Sequence, residues 1–502
     1  MARTHKYLEG IQAREAYFRG ADKVAKIVTE SIGPFGLNLA TEKGKKTTND
    51  GKLISQSVSV AIEDEFERAG ALLQDEICAK TNEEVADATS TTIALSKGIR
   101  RELVKYLPTT TRFVSTMSVE QLSQKLNKER EEVVNLLKEG VKTIESREDL
   151  IASAMVSVEN QELAELIGGT QWDLGPDGRI IPEEVNENGC SVELVDGIMI
   201  DNGFATSLAV NNPAENTLEL SDGKILHTNY TIGKEEFPKL AVLIQEIAKS
   251  GDNKLVVIAR AFTQEVIAAL NGLAQTGFAV YPINAPYVDQ AQIMLDIESV
   301  VGGRYIDQDL GTFDELRLED LGEFTKIKMR LMGGIITGKN SDKKQARIER
   351  LREELKGNHS VFTKRKIEER IAALNSKLAL LKIGAYVKQD RERLKDKADD
   401  AVVSVRMALR GGTVKGGGLA FKEISDKLET DSLLKRPLTV VYDQIMSSAP
   451  EGFVIEDWVR DPFLTLETAL RNACEGSISM CRVNGAVVQR DIKSKDTEYE
   501  ND

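Results

Sequence analysis

The chain of 502 residues is poor in aromatic side chains, cysteine and histidine, and it has no long apolar run. No two of its four cysteines have C-x-x-C spacing and only three histidines are present, which argues against a zinc site and favours a reduced setting. No stretch of about 18 apolar residues occurs, so we predict no membrane-spanning helix. The first residues lack the apolar core of a signal peptide, and we expect none.

An excess of basic charge is also lacking. The 80 acidic and 66 basic residues give a net charge of −14 at pH 7. This balance argues against a nucleic-acid or anionic membrane surface, because both need a basic patch. The hydrophobic fraction of 41% is that of a globular protein, and the length predicts two to four domains.

The most informative stretch is E-E-V-A-D-A-T-S-T-T at residues 83–92, where one carboxylate, Asp87, precedes four hydroxyl side chains. Hydroxyls and the N–H groups of a starting helix can surround an anion, and Asp87 could hold a magnesium ion that bridges phosphate oxygens. The apolar residues from Ile93 onward continue as a helix. The simpler interpretation is a Ser/Thr N-cap with an acid nearby.

Two other regions accompany this stretch. S-I-G-P-F-G-L-N at 31–38 and T-T-N-D-G at 47–51 lie upstream, whereas D-D-A at 399–401 and G-G-T-V-K-G-G-G at 411–418 lie downstream. In this order and spacing they resemble the nucleotide site of the group I chaperonins. That family reads L-G-P-x-G-x-N, T-x-D-G, G-D-G-T-T-T, E-D-A and a G-G-G turn. The resemblance extends over nearly the whole chain. The divergence of this sequence from the family pattern suggests a phage-encoded member.

The resemblance implies a multidomain chaperonin fold that combines all-α and α/β parts. A helical equatorial ATP-binding domain would comprise 1–140 and 412–502. A small intermediate hinge domain would comprise 141–192 and 376–411. An α/β apical substrate-binding domain would comprise 193–375.

Apolar periodicity predicts the main elements of the chain. The predicted helices are 11–30, 57–80, 89–106, 119–145, 235–250, 263–276, 290–300 and 463–482, and the buried strands are 255–259 and 278–283. The T-T-N-D-G stretch predicts a short hairpin at 46–55, in which Asp50 could be an ordinary turn residue. Residues 342–381 predict a charged helical hairpin, with Ile367, Leu374 and Leu378 on one of its apolar stripes.

The resemblance also gives each site residue a role. Asp400 and Asp50 would be the catalytic carboxylates beside the γ-phosphate, with Asp400 polarising the attacking water, and Asp87 would bind magnesium. Asp400 would belong to the hinge domain and reach the site only when that domain swings. The implied cofactors are ATP and Mg²⁺, with K⁺ as an optional further cation. The nucleotide-binding residues would be Ser31, Ile32, Gly33, Pro34, Asn49, Asp87, Ala88, Thr89, Ser90, Thr91, Gly417 and Asp461.

The chain departs from the family pattern at this site. Ala86 and Ala88 stand where the family has glycines, and Asn49 stands where it has a lysine. The segment from Ser447 to Glu456 is shorter than the family segment that holds adenine. These departures bear on the ATPase rate and on base selectivity.

The implied assembly is a homo-oligomeric ring of seven subunits in the cytoplasm, which is the host cytoplasm if the chain is phage-encoded. Its partners would be unfolded proteins, and a lid co-chaperonin is allowed as a further partner. The client-binding residues would be Phe204, Leu208, Leu240, Ile244, Ile267 and Leu270. An alternative for the stripe of Phe237, Leu240, Ile244 and Ile247 is packing on the sheet.

Two functions stay open at this point. The first is an ATP-dependent chaperonin that encloses and helps to fold non-native proteins. The second is a holdase or scaffold with the same fold and weak or absent ATPase activity. A metabolic ATP-using enzyme has less support, because no second-substrate site is recognisable.

Overall fold

The structure of the chain is a computed structural model. It describes residues 3–40, 47–85, 87–111, 114–158, 160–176, 178–200, 202–212, 217–274, 277–286, 290–310, 313–330, 333–339, 341–357, 361–375 and 377–491. Ala86 lies outside the described residues. The chain divides into two compact units, Met1–Trp172 with Asp396–Asp502 and Asp173–Lys395. The three-domain boundaries given above stay a prediction.

The first unit is mainly helical. Its helices, numbered in chain order, are α1 (Gly10–Thr29), α2 (Gly51–Ala61), α3 (Glu65–Val85), α4 (Thr89–Leu103), α5 (Val119–Glu139), α6 (Arg147–Val158), α7 (Gln161–Leu174), α13 (Lys388–Gly411), α14 (Leu419–Lys427), α15 (Val440–Ser448) and α16 (Phe463–Cys481). Helices α7 and α13 also carry residues of the second unit. Three antiparallel pairs of strands complete the unit: β1 (Arg3–Glu9) with β17 (Gly485–Asp491), β2 (Leu39–Ala40) with β3 (Thr47–Thr48), and β15 (Thr413–Lys415) with β16 (Arg460–Pro462).

Helix α16 lies at the centre of this unit because small residues line its length. Ala469 and Ala473 are fully buried among apolar side chains of α4 and α5. Gly476 meets α3 so closely that a Cβ there would lie 2.1 Å from Ile77 Cδ1. Helix α4 contributes its apolar stripe to the same core. The close packing fixes the start of α4, which carries the hydroxyl-rich stretch.

The predicted hairpin at 46–55 is wrong. Strands β2 and β3 do pair, with Leu39 opposite Thr48, but Asp50 follows them and begins α2. The Asp50 carboxylate accepts the N–H groups of Lys52 at 2.7 Å and of Leu53 at 3.4 Å, and a helix of 11 residues follows, so Asp50 is the N-cap of α2. The predicted helix at 57–80 is likewise two helices, because Asp64 caps α3 by accepting the N–H of Glu67 at 2.8 Å.

The second unit is an α/β unit, and this part of the predicted fold class is confirmed. Its helices are α8 (Phe237–Lys249), α9 (Gln264–Ala274), α10 (Gln290–Val301), α11 (Ser341–Leu355) and α12 (Val361–Asn375). Its strands are β4 (Arg179–Val185), β5 (Gly189–Asp196), β6 (Ile198–Ile200), β7 (Leu218–His227), β8 (Thr231–Ile232), β9 (Lys254–Ala259), β10 (Ala261–Phe262), β11 (Ala279–Asn284), β12 (Gly322–Arg330), β13 (Gly333–Gly338) and β14 (Lys377–Gly384).

Six of these strands form one sheet in the order β11-β9-β7-β12-β13-β6. The first three strands are parallel and the remaining pairings are antiparallel. Because side chains alternate along a strand, Leu255 and Val257 of β9 pack with α8 and α9, whereas Val256 and Ile258 pack with α10, α11 and α12. The sheet therefore has a helical layer on each face.

The predicted helical hairpin at 342–381 ends earlier than expected. Helix α12 stops at Asn375, and Leu378 lies in strand β14. That strand pairs in parallel with β4 and antiparallel with β5. After the strands of the six-stranded sheet, the chain thus returns to pair with β4 and β5, which precede that sheet in the sequence. Pairing across so many residues outweighs the local helical stripe.

The helices predicted at 11–30, 89–106, 235–250, 263–276, 290–300 and 463–482 and both buried strands are confirmed within a few residues. The helix predicted at 119–145 ends at Glu139, because Gly140 follows and Lys142 pairs with Thr413 instead. Among the described residues, no helix has both the length and the apolar character to cross a bilayer.

Candidate functional site

The start of α4 has an unusual backbone. Ala88, its N-cap residue, adopts the left-handed conformation with φ +56° and ψ +24°. A residue with a side chain loses roughly 1–2 kcal/mol in that region. Ala88 also has no side-chain oxygen and makes no capping bond, so the first N–H groups of α4 lack a side-chain cap. Such N–H groups and the helix dipole favour an anion at this position.

Asp87 lies immediately before this turn. Its carboxylate accepts the N–H of Ala88, and the side chain is half-buried. Desolvation raises the pKa of Asp87 above its ordinary value. Of the four hydroxyls that follow, Thr92 faces inward, where it donates to the carbonyl of Ala88 at 3.0 Å. Thr89, Ser90 and Thr91 occupy the first turn beside the uncapped N–H groups.

Gly51 brings the start of α2 against the start of α4. A Cβ on Gly51 would lie 2.2 Å from Ser90 Oγ and 2.9 Å from Thr89 Oγ1, so only glycine permits this approach. The contact places Asp50, the N-cap of α2, next to the hydroxyl-rich turn. Gly51 is not among the site residues predicted from the sequence, because Asp-Gly is also an ordinary turn signal.

Asp400 lies on α13 in the first unit, together with Asp50 and Asp87. Desolvation, followed by repulsion from Asp87 and Asp50, raises the pKa of Asp400 well above its ordinary value. Because the Asp400 side chain is exposed to solvent, repulsion from Asp87 and Asp50 is the better supported of the two causes. That Asp400 reaches the nucleotide only after a domain swing stays a prediction.

Asp461 approaches from another direction. In the pairing of β15 with β16, Asp461 lies opposite Val414, and its carboxylate accepts the N–H of Gly417. Gly417 has φ +61°, a conformation that favours glycine. Desolvation, followed by repulsion from Asp87, raises the pKa of Asp461 to about 7. A carboxyl group that titrates near neutrality can both donate to and accept from a hydroxyl.

The loop at 31–34 lies on the side of Ala94 of α4. Ser31 is buried and its hydroxyl donates to the carbonyl of Val28 at 2.8 Å. Ile32 is buried against Ala94, while Gly33 and Pro34 are exposed. Gly33 has φ +82°, and a Cβ there would lie 2.8 Å from Ile445 of α15. Asn49, which precedes the cap of α2, is exposed.

The four aspartates Asp50, Asp87, Asp400 and Asp461 are therefore linked by electrostatic repulsion, with Asp87 coupled to Asp400 and Asp461. Among the described residues, no group of three or more His, Cys, Asp or Glu side chains could hold a metal ion by itself. Magnesium commonly keeps one or two carboxylates and takes its other ligands from phosphates and water. The residues present fit magnesium held by Asp87 together with a phosphate chain.

Most of the predicted client-binding residues are buried in the second unit. Leu240, Ile244 and Leu270 lie in the core between the sheet, α8 and α9, and Phe204 is buried in the core on the other face of the sheet. Leu208 is 72% exposed and Ile267 is half-buried. The alternative that the α8 stripe packs on the sheet therefore describes Leu240 and Ile244 in this structure. Val242 of α8, at 57% exposure, points to solvent instead.

Comparisons with known proteins identify the family and the fold of the chain. The model of the TCP-1/cpn60 chaperonin family matches residues 24–436. Two similar solved structures are crystal forms II and I of the chaperonin gp146 from bacteriophage EL 2 (Pseudomonas aeruginosa), both in the presence of ATP-BeFx. They are 18% and 19% identical to this chain, and each match has a TM-score of 0.70 and covers 97% of this chain and 99% of gp146. At this identity the likeness shows the fold.

Proposed function

The chain belongs to the TCP-1/cpn60 chaperonin family, and from this premise we propose that it is an ATP-hydrolysing subunit of a cytoplasmic ring that binds, encloses and helps to fold non-native proteins. The observation that carries the proposal is the convergence of Asp50, Asp87, Asp400 and Asp461 around the uncapped start of α4. Asp87 and Asp50 repel Asp400, and Asp87 also repels Asp461. Such repulsion between acids is costly unless a cation or a reaction uses them. The relative gp146 was crystallised with an ATP analogue, which supports a nucleotide as the ligand.

The site residues divide the work of phosphoryl transfer. Magnesium, held by Asp87 and phosphate oxygens, would neutralise charge on the phosphates. The first N–H groups of α4 and the hydroxyls of Thr89, Ser90 and Thr91 would bind the phosphate oxygens. Asp400 would orient the attacking water and accept its proton, and its raised pKa suits a general base. Asp461 and Gly417 would bind the nucleoside side of the ligand.

Ring assembly is supported by the open strand pairs of the first unit. The pair β1–β17 is a two-stranded sheet in the described chain, and such a sheet leaves hydrogen-bonding edges for another chain. Tyr7 and Val487 face each other across it at 62% and 68% exposure. We therefore expect a particle of several hundred kilodaltons in light scattering, against 55.3 kDa for one subunit. A mass of one subunit, with and without ATP, would contradict ring assembly.

For client binding, the exposed apolar side chains are better candidates than the buried ones. Leu240→Glu is unsuitable as a test, because a charge at a fully buried position would destabilise the unit itself. We expect Leu208→Glu and Val242→Glu to weaken the capture of a denatured protein, since both side chains are exposed. Unchanged suppression of client aggregation by both variants, in assembled particles, would count against this surface.

One observation favours the holdase alternative. The left-handed Ala88 carries a methyl group where the family has glycine, and a Cβ at that turn can crowd a close phosphate. A site crowded in this way would bind clients without turning over ATP. Retention of Asp50 and Asp400 argues for a working site instead.

Refolding of a chemically denatured client by the purified particle separates the two functions. We expect the yield of active client to rise with ATP and Mg²⁺. With ADP, the yield should be little higher than the yield without nucleotide. The matched control is Asp87→Asn, which should suppress client aggregation normally but lose the ATP-dependent yield. Equal yields with and without ATP in the parent protein would support the holdase and overturn the proposal.

A further inference from the structure

An apolar wall lies beside the candidate nucleotide site. It consists of the buried residues Ile32, Ala94, Val441 and Ile445, with Val440, Phe453 and Ile455 packed against them. The ring of Phe35, in the loop after Ile32, meets the ring of Phe453 edge to face with centroids 5.0 Å apart. Phe453 and Ile455 belong to the short segment after α15, so this segment closes the wall.

The wall touches the part of the site that would bind the nucleoside. Ile455 Cδ1 lies 2.9 Å from the position that a Cβ on Gly417 would take. The N–H of Gly417 in turn donates to the Asp461 carboxylate. Ile455 is therefore the side chain of the wall that stands next to the pair assigned to the nucleoside. A base attached to that nucleoside would meet an apolar surface.

Several polar side chains around this segment bond to their own neighbours. Asp443 accepts the hydroxyl of Thr439 at 2.5 Å, and Glu456 accepts the indole N–H of Trp458 at 2.5 Å. Ser447 and Ser448 both donate to the carbonyl of Gln444, at 2.8 and 3.1 Å. The Gln444 amide donates to Ser448 at 3.4 Å. These side chains are thus held by local bonds.

Distinguishing adenine from guanine requires polar groups, because the two bases differ in the donors and acceptors at their edges. Apolar contact and stacking tolerate any base, since every base has an apolar face. We propose that this chain holds the base by the apolar wall around Phe453 and Ile455 and accepts guanine, cytosine and uracil nucleotides along with adenine nucleotides. The inference rests on the proposed nucleotide site and concerns its substrate class.

The test is equilibrium binding of ADP, GDP, CDP and UDP, each with Mg²⁺, to the assembled parent protein by isothermal titration calorimetry. We expect the four dissociation constants to agree within about tenfold, because an apolar pocket discriminates weakly between similar ligands. A preference for ADP larger than that over the other three overturns the inference while leaving the nucleotide site intact. Failure of all four to bind overturns the inference and the proposed function together.

A pair of neighbouring variants tests the wall itself. Ile455→Ala should weaken all four diphosphates by a common factor of about tenfold and leave the binding of inorganic tripolyphosphate unchanged, since only apolar contact with the base is lost. Val454→Ala is the matched control, because Val454 is 73% exposed and should bind all ligands as the parent does. Loss of ADP binding alone in Ile455→Ala overturns the inference. If Ile455→Ala does not assemble, the four-ligand comparison on the parent protein still decides.

Discussion

Replacement of Asp400 by asparagine tests the proposed chemistry in most detail. The change keeps the shape of the side chain, removes one negative charge and removes the group that would accept a proton from water. Loss of a general base costs roughly 10²–10⁴ in rate, which is about 2.7–5.4 kcal/mol of barrier at 1.36 kcal/mol per decade. Binding of Mg-ATP should be retained or slightly tighter, because Asp400 repels Asp87 and Asp50 and would also repel the phosphates.

The assay is single-turnover hydrolysis by rapid quench, with the dissociation constant of Mg-ATP measured on the same assembled particles. The matched control is Asp396→Asn, one helical turn earlier on α13 and exposed, which should hydrolyse ATP within about twofold of the parent rate. Hydrolysis by Asp400→Asn at the parent rate would refute the assignment of Asp400. Equal rate losses in Asp400→Asn and Asp396→Asn would show a nonspecific charge effect and refute it as well.

The same assignment predicts a pH dependence. A general base works when it is deprotonated, so the rate should rise with pH through the pKa of Asp400, which desolvation and the neighbouring acids hold above its ordinary value. Asp50→Asn removes one of those acids yet keeps a good N-cap for α2, so the acidic limb of the rate profile should move to lower pH. An unmoved limb in this variant would mean that another group sets it.

Three further predictions concern stability and rate. Asp296 pairs with Arg347 at 2.8 Å and with Arg370 at 2.7 Å. Asp296→Ala should destabilise the second unit by about 3–5 kcal/mol in urea denaturation, because both half-buried arginines lose their carboxylate partner. A loss below about 1 kcal/mol would contradict this prediction. Burial lowers the pKa of His227 from 6.5 to about 4. The free energy of unfolding is therefore highest above pH 6.5, and it falls by about 3 kcal/mol as the pH drops to 4 because the unfolded chain binds the proton first. His227→Phe should flatten this part of the curve of unfolding free energy against pH, and an unchanged curve would contradict the prediction. Ala88→Gly should relieve the strained turn and raise both the stability, by about 1 kcal/mol, and the ATPase rate; a slower enzyme would show that the methyl group is not an obstacle.

The sequence predicts well what depends on local pattern. Apolar periodicity predicted α1, α4, α8 and α16, and in each of these helices apolar residues at helical spacing are buried. The site residues were predicted from the resemblance that the short motifs carry, and their roles stay predictions. The electrostatic links of Asp87 to Asp400 and Asp461 support the grouping of these three acids.

What the sequence could not predict depends on contacts between distant segments. In the sequence, Asp50 fits a turn residue and a helix N-cap equally well. The structure shows an N-cap, next to a close contact between Gly51 and Ser90 that local sequence does not reveal. Leu378 continues a helical stripe, yet it lies in a strand that pairs with β4 and β5, some 180–200 residues earlier along the chain. An apolar stripe on α8 is the same pattern for a client groove and for a core, and only the sheet beneath it shows that Leu240 is buried.

Phosphate release from ATP by the purified, assembled protein is the decisive measurement for the proposed hydrolysis site. Four aspartates around the start of α4 are proposed to work as a magnesium-dependent hydrolysis site. We expect steady phosphate release that needs Mg²⁺, stops with a chelator and is lost in both Asp87→Asn and Asp400→Asn. Absence of release from the assembled parent protein, or release that persists in both variants, would contradict it.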